Sequence, residues 1–121
     1  MEVIELGNIQ ERFANIIWDH EPVSSGELVK ICEKELNWKK ATTYTVLHNL
    51  CERGLFQNEQ TIVTSIISRD AFYSASFERI LENSYQGSLP SFLAAFTSHK
   101  KLSPEEAEEI RRMIDAAQEK A

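Results

Sequence analysis

Cysteine is scarce in this chain of 121 residues, which contains only two. Cys32 and Cys51 are too few for a disulfide framework. Each falls within a helical pattern, so both are expected to be reduced and packed. No stretch is Gly-rich, which removes a phosphate-cradling loop, and no low-complexity linker or internal repeat is present. No apolar run approaches the length of a membrane span. The opening "MEVIELGN" lacks the basic-then-apolar layout of a signal peptide, so a cytoplasmic protein without membrane contact is the expectation. His20, His48 and His99 are scattered, with no nucleophile–base motif, so no catalytic residues, cofactor or enzymatic activity are expected. His48 and Cys51 stand three apart on one helical pattern, but no further paired ligands lie near them. A stable metal site needs three or four ligands, and none is expected.

Positive charge is also in short supply. Thirteen Lys and Arg face nineteen Asp and Glu, for a net charge of −6. The first sixty residues alone hold six Lys and Arg against ten Asp and Glu, so the acidity is not confined to a tail. This argues against non-specific binding to polyanions, but not against a local basic patch.

The signals for helix starts, by contrast, are plentiful. In "NIQERFANIIW" Asn8 reads as an N-cap answered by Glu11, with Ile9, Phe13, Ile16 and Ile17 on one face. In "SSGELVKICEKEL" Ser24 caps, Glu27 answers, and Leu28, Ile31 and Cys32 point inward. A third helix occupies "KKATTYTVLHNLCERGLF", with Thr43, Val46, Leu47 and Leu50 on one side and Gly54 as its stop. The period then changes. "LFQN" and "TIVTSII" are short and rich in β-branched and aromatic residues, which suggests a two-stranded hairpin without an Asn-Gly or Asp-Gly turn. Three more helices follow. Ser68 caps one that runs to about Tyr85, with Tyr73, Phe77, Ile80 and Leu81 as its stripe. Gly87-Ser88 opens a shorter one with Leu89, Phe92, Leu93 and Phe96. Ser103, Pro104 and Glu106 start the last, which aligns Ala107, Ile110, Ile114 and Ala117.

The predicted fold is mainly α with a small β-hairpin. Residues 1–68 have the size and order of a winged helix-turn-helix, and residues 69–121 form a helical dimerisation region. About fifty residues is near the lower limit for an independent core. Phe77, Ile80, Leu81, Phe92, Phe96, Ile110 and Ile114 therefore point to a symmetric partner and a homodimer, the alternative being that these helices fold back on the N-terminal unit.

The third helix carries unusual side chains for its place. Threonine is a modest helix former, and Glu or Lys would serve solubility better. In a helix-turn-helix this element enters the major groove, where its outer face must offer donors, acceptors and methyl groups to base edges. A helical projection puts Thr42, Thr45 and Asn49 on one stripe, flanked by Tyr44 and His48. Lys39 and Lys40 stand at the entrance, beside the positive end of the helix dipole, where phosphates can be met. Double-stranded operator DNA is the expected partner.

These segments resemble the BlaI/MecI/CopY family of penicillinase-type transcriptional repressors over nearly the whole chain. "IQERFANIIWDHEPVSSGELV" is similar to that family's first two helices. "TTYTVLHNLCERGLF" is similar to its recognition-helix signature, with Thr42, Tyr44, Thr45, Leu47, Leu50 and Gly54 on matching positions. "SRDAFY", "QGSLPSFLAAF" and "LSPEEAEEIRRMID" match the dimerisation region in order and spacing. The resemblance implies a homodimeric winged-helix repressor on a dyad-symmetric operator. It also implies a cleavage site for a sensor protease at Ala95–Phe96, although asparagine is usual where Ala95 stands. The family usually has a basic residue where this chain has Asn49, and often Gly and Arg in the wing. Here the wing, "QNEQTIVTS", has no basic residue and contains Glu59. The cysteine-rich tail of copper-responsive members has no counterpart in "DAAQEKA", which excludes copper sensing by that route. The rival reading is a winged-helix protein-interaction module without DNA binding, favoured by the acidic balance and the bare wing.

Overall fold

The computed structural model describes residues 4–119. The element order is α1 Asn8–His20, β1 Val23–Ser24, α2 Ser25–Leu36, α3 Lys40–Glu52, β2 Phe56–Glu59, β3 Ile62–Ser65, α4 Arg69–Tyr85, α5 Leu89–His99 and α6 Pro104–Glu119. The chain forms two compact units, Met1–Arg79 and Ile80–Ala121, so the division falls within α4. A boundary drawn at residue 68 leaves the beginning of α4 outside the first unit, yet Phe72 is part of that unit's core.

In the first unit the core collects Phe13, Ile17 and Trp18 of α1, Leu28 and Cys32 of α2, and Leu47 and Leu50 of α3, together with Phe56, Val63 and Phe72. Trp18 sits at the centre of an aromatic cluster, with ring centroids 5.5 Å from both Phe56 and Phe72. Its indole N–H donates to the Ile67 carbonyl at 3.1 Å, which satisfies the one polar group on a buried ring. Arg69 holds the start of α4 against α1. Its guanidinium donates to the Asn15 carbonyl and the Asp19 carboxylate and lies over the Trp18 ring. Two sequence expectations are corrected here. The inward position at the start of α4 is Phe72, whereas Tyr73 is exposed and accepts a hydrogen bond from Asn15. Ile9, expected inward, is also exposed.

The sheet has three strands in the order β1-β3-β2, not the two expected. β1 is a two-residue pairing, Val23 opposite Val63 and Ser24 opposite Ile62. So short a strand has no periodicity to betray it; only the partner reveals it. The β2–β3 hairpin closes on Gln60 and Thr61, both at positive φ (51° and 67°). Positive φ at both central positions is the type I′ turn, one of the two that match the strand twist, and here it is adopted without glycine. The left-handed region is costly for side chains, above all for a β-branched threonine. The Glu21 carboxylate braces the base of the wing by accepting from the Ser65 N–H and hydroxyl, both at 2.8 Å.

In the second unit no described residue is buried. Tyr85, Phe92 and Phe96 form a chain of ring contacts with centroids 5.6 and 5.9 Å apart. With Ala95, His99 and Lys100 they line an open, mostly apolar groove. The expected serine caps are present: the hydroxyls of Ser88 and Ser103 accept from Ser91 N–H and Glu106 N–H, each at 3.1 Å.

Candidate nucleic-acid interface

The helix-turn-helix geometry depends on how α2 ends and α3 begins. Ser24 caps α2 by accepting from the Glu27 N–H at 3.1 Å. At its far end Asn37 takes the left-handed conformation (φ 56°, ψ 37°), which turns the chain. Asparagine visits that region more readily than most residues. Trp38 then stacks on Phe13, with centroids 5.3 Å apart, and pins the connection to the core.

α3 starts at Lys40 with Lys39 as its N-cap, and no side chain caps it. The first-turn N–H groups therefore lie beside two lysines, a setting that favours an anion. Lys40 Nζ also lies 5.9 Å from the centre of the Tyr44 ring. At the other end Gly54 (φ 84°) closes the helix. Gly54 N–H donates to the Cys51 carbonyl and Leu55 N–H to the Leu50 carbonyl. These are the two bonds of a Schellman motif, and the fully buried Leu50 and Leu55 supply its apolar contact.

Thr43, Leu47 and Leu50 are the buried side of α3. Lys39, Lys40, Thr42, Thr45, His48 and Asn49 are all exposed, and Tyr44 is half-buried. The structure thus brings together the residues the sequence nominated for DNA. Two residues that the sequence reading did not single out share this face. Ala41 and Glu52 are exposed as well, and the spacing 41, 45, 48, 52 places them on one stripe with Thr45 and His48. That spacing was readable; what hid them was chemistry, because alanine and glutamate look like ordinary helix surface. Thr45 donates its hydroxyl proton to the Ala41 carbonyl at 2.9 Å. His48 Nε2 lies 3.2 Å from a carboxylate oxygen of Glu52, with both side chains largely open to solvent. His48 thus faces Glu52 and not Cys51, and among the described residues no group of three or more His, Cys, Asp or Glu could hold a metal.

Arg53, which follows the helix, is tied to the N-terminal segment. Its guanidinium donates to the Glu5 carbonyl at 2.6 Å, while the Glu5 carboxylate pairs with Arg79. The wing strands, residues 56–65, contain no basic residue, and Asn58, Glu59, Gln60, Thr61 and Ile62 are exposed. Cationic groups on this side are thus concentrated at the start of α3. Behind α3, Cys32 is fully buried. Burial raises its thiol from 9.0 to about 11, an effect partly offset by the Thr43 hydroxyl, and burial raises Cys51 too.

The residues nominated for dimerisation divide between the units. Phe77 belongs to the first unit; Ile80, Leu81, Phe92, Phe96, Ile110 and Ile114 belong to the second. Ile80 and Ile114 are 51 % and 49 % exposed, large values for side chains of this kind. Ala95 and Phe96 lie within α5, with Phe96 exposed. Among the described residues no helix is long and apolar enough to cross a membrane.

Comparison with known proteins places this geometry in context. The family pattern described as "Penicillinase repressor" matches residues 6–116. A penicillinase repressor from Bacillus licheniformis is 21 % identical over 118 residues, covering 94 % of this chain and 92 % of that protein. The methicillin resistance regulatory protein MecI of Staphylococcus aureus (strain Mu50 / ATCC 700699) is 22 % identical over 116 residues, covering 92 % of this chain and 94 % of its own length. MecI of Mammaliicoccus sciuri is 21 % identical over the same length.

Proposed function

The chain belongs to the penicillinase repressor family, and from that premise we propose that it is a transcriptional repressor acting as a homodimer on a dyad-symmetric operator. Each copy seats α3 in the major groove. One observation carries this reading: Lys39, Lys40, Thr42, Thr45 and Asn49 are exposed together on one helix whose opposite side is locked into the core. The lysines and the uncapped helix start meet phosphates and fix the register, while Thr42, Thr45 and Asn49 reach base edges. Tyr44, half-buried with Lys40 Nζ 5.9 Å from its ring centre, offers its hydroxyl to a phosphate.

The homodimer is supported by the second unit. Three helices that carry Ile80, Phe96, Met113 and Ile114 exposed have apolar surface that a symmetric partner would cover. Burying each such side chain is worth about 1.5–3 kcal/mol, enough for several together to hold a dimer. Two linked half-site contacts then behave as one event, at an effective concentration on the order of mM. Release by a sensor protease at Ala95–Phe96 belongs to the same proposal. That bond is inside α5, so cutting it requires local unwinding of the helix.

The acidic wing favours a second reading, a winged-helix module that binds protein and not DNA. One experiment separates the two: selection of duplexes from a genomic fragment library by the purified protein. A repressor enriches a dyad-symmetric sequence. Thr45→Ala and Asn49→Ala should each weaken binding to it by about 1–3 kcal/mol, with unchanged circular dichroism. Failure to enrich any duplex at low salt would favour the protein-binding module.

A further inference from the structure

The outer stripe of α3 has a hydrogen-bonding polarity that restricts which bases it can read. Thr45 has one hydroxyl proton, and it is spent on the Ala41 carbonyl at 2.9 Å. What remains outward is an oxygen lone pair and a methyl group. One helical turn on, His48 Nε2 faces the Glu52 carboxylate at 3.2 Å. A neutral imidazole has one N–H and one bare nitrogen. Only the tautomer with its proton on Nε2 can donate to that carboxylate; the other would set a lone pair against a negative charge. In the neutral ring Nδ1 is therefore left as an acceptor, whereas a protonated ring would donate from both nitrogens and select guanine instead. Two independent contacts thus turn Thr45 and His48 into acceptors, while Ala41 and the Thr45 methyl offer only apolar contact.

We propose that His48, oriented by Glu52, is a specificity-determining residue that reads an amino group in the major groove, the adenine N6 or cytosine N4 donor. The reading rests on α3 occupying the major groove. Guanine presents only acceptors there, N7 and O6, and thymine presents O4. Either would face Nδ1 acceptor to acceptor, so both are rejected at this position. A thymine methyl fits the neighbouring step, against Ala41 and Thr45. Glu52 is a positioning residue in this scheme. It fixes the tautomer and ring orientation of His48, and it does not itself touch the base.

The test uses the full-length protein and a pool of randomised duplexes. Wild type should enrich operators in which one position of each half-site is adenine or cytosine on the contacted strand, with guanine disfavoured. His48→Ala should erase the preference at that position alone, and Glu52→Ala should weaken it there while leaving the rest of the selected sequence unchanged. Loss of preference at one base is a readout that a merely structural role for Glu52 would not move. As a chemical control, the chosen adenine is replaced by purine nucleoside, which lacks the N6 amino group. Wild type should then bind about 5- to 20-fold more weakly, and His48→Ala should be indifferent. An operator selected equally well by wild type and His48→Ala, or a guanine preference at the affected position, overturns the proposal and leaves α3 as the reader. A protein that selects no duplex at all overturns both.

Discussion

Phe56 and Phe72 are buried against Trp18 in the first unit, whereas in the second Phe92 is only half-buried and Phe96 and Ile114 are exposed. The first unit has layers to place around its aromatic residues: α1, α2 and α3 on one side, a three-stranded sheet and the start of α4 on the other. The second has the last part of α4 and two further helices, each with a narrow apolar stripe that is at most half-buried among the described residues. The difference is one of geometry more than of composition. Helices with good stripes cannot make a dry interior until enough of them face one point, and below about fifty residues that condition is rarely met within one chain.

The largest effect should come from separating the units. A chain ending at Arg79 retains Phe72 and Arg69, and is expected to fold as a monomer with cooperative unfolding. Its operator affinity should fall by about 10²–10⁴-fold, because linkage of two half-site contacts is lost. Sedimentation and DNA titration of the fragment beside the full chain measure both. A fragment that stays dimeric, or binds undiminished, would remove the contrast.

Single substitutions sharpen the comparison. Phe72→Ala should cost about 3–5 kcal/mol in urea unfolding, since the cavity opens inside a packed core. Phe96→Ala should leave unfolding of the first unit unchanged and act on association instead. Equal losses from both, at concentrations where the protein is monomeric, would mean that the second unit has an interior of its own.

Through Cys32, alkali should act on the first unit. Folded Cys32 holds its proton up to about pH 11, against an ordinary value of 9.0. The folded state therefore binds the proton more tightly than the unfolded one. This contribution is fully present below about pH 9 and is lost as pH rises through 11, for a total on the order of 2–3 kcal/mol. Urea midpoints across that range should decline less steeply in Cys32→Ala than in wild type.

What could be read from the sequence was local. The Ser24, Ser68, Ser88 and Ser103 caps are all formed, because a cap joins residues two or three apart and nothing distant can veto it. The start of α1 was misplaced by one residue for a related reason. Gly7 takes the cap position and its N–H donates to the Gln10 side chain, a role the sequence pattern gave to Asn8 and Glu11. Three other features were out of reach. β1 exists through its pairing with β3, Arg53 is captured by Glu5 across 48 positions, and Phe72 replaces Tyr73 as the buried residue although both rings meet Trp18. At the candidate site the exposed stripe was legible from helical spacing. The committed protons of Thr45 and His48 were not, since spacing alone does not say which partner a hydroxyl or imidazole chooses.

The setting of the two tryptophans gives the molecule an optical asymmetry. Trp18 is packed among Phe56, Phe72 and Tyr73 with its N–H bonded to a carbonyl, and Trp38 is stacked on Phe13. There are only two tryptophans, and both lie in the first unit. Intrinsic emission excited at long wavelength therefore reports the winged helix and is blind to the residues from Ile80 onward. A change in that emission on adding DNA would originate in the first unit, near the connection that Trp38 pins between α2 and α3. Assembly through the second unit needs a different signal, such as hydrodynamic size.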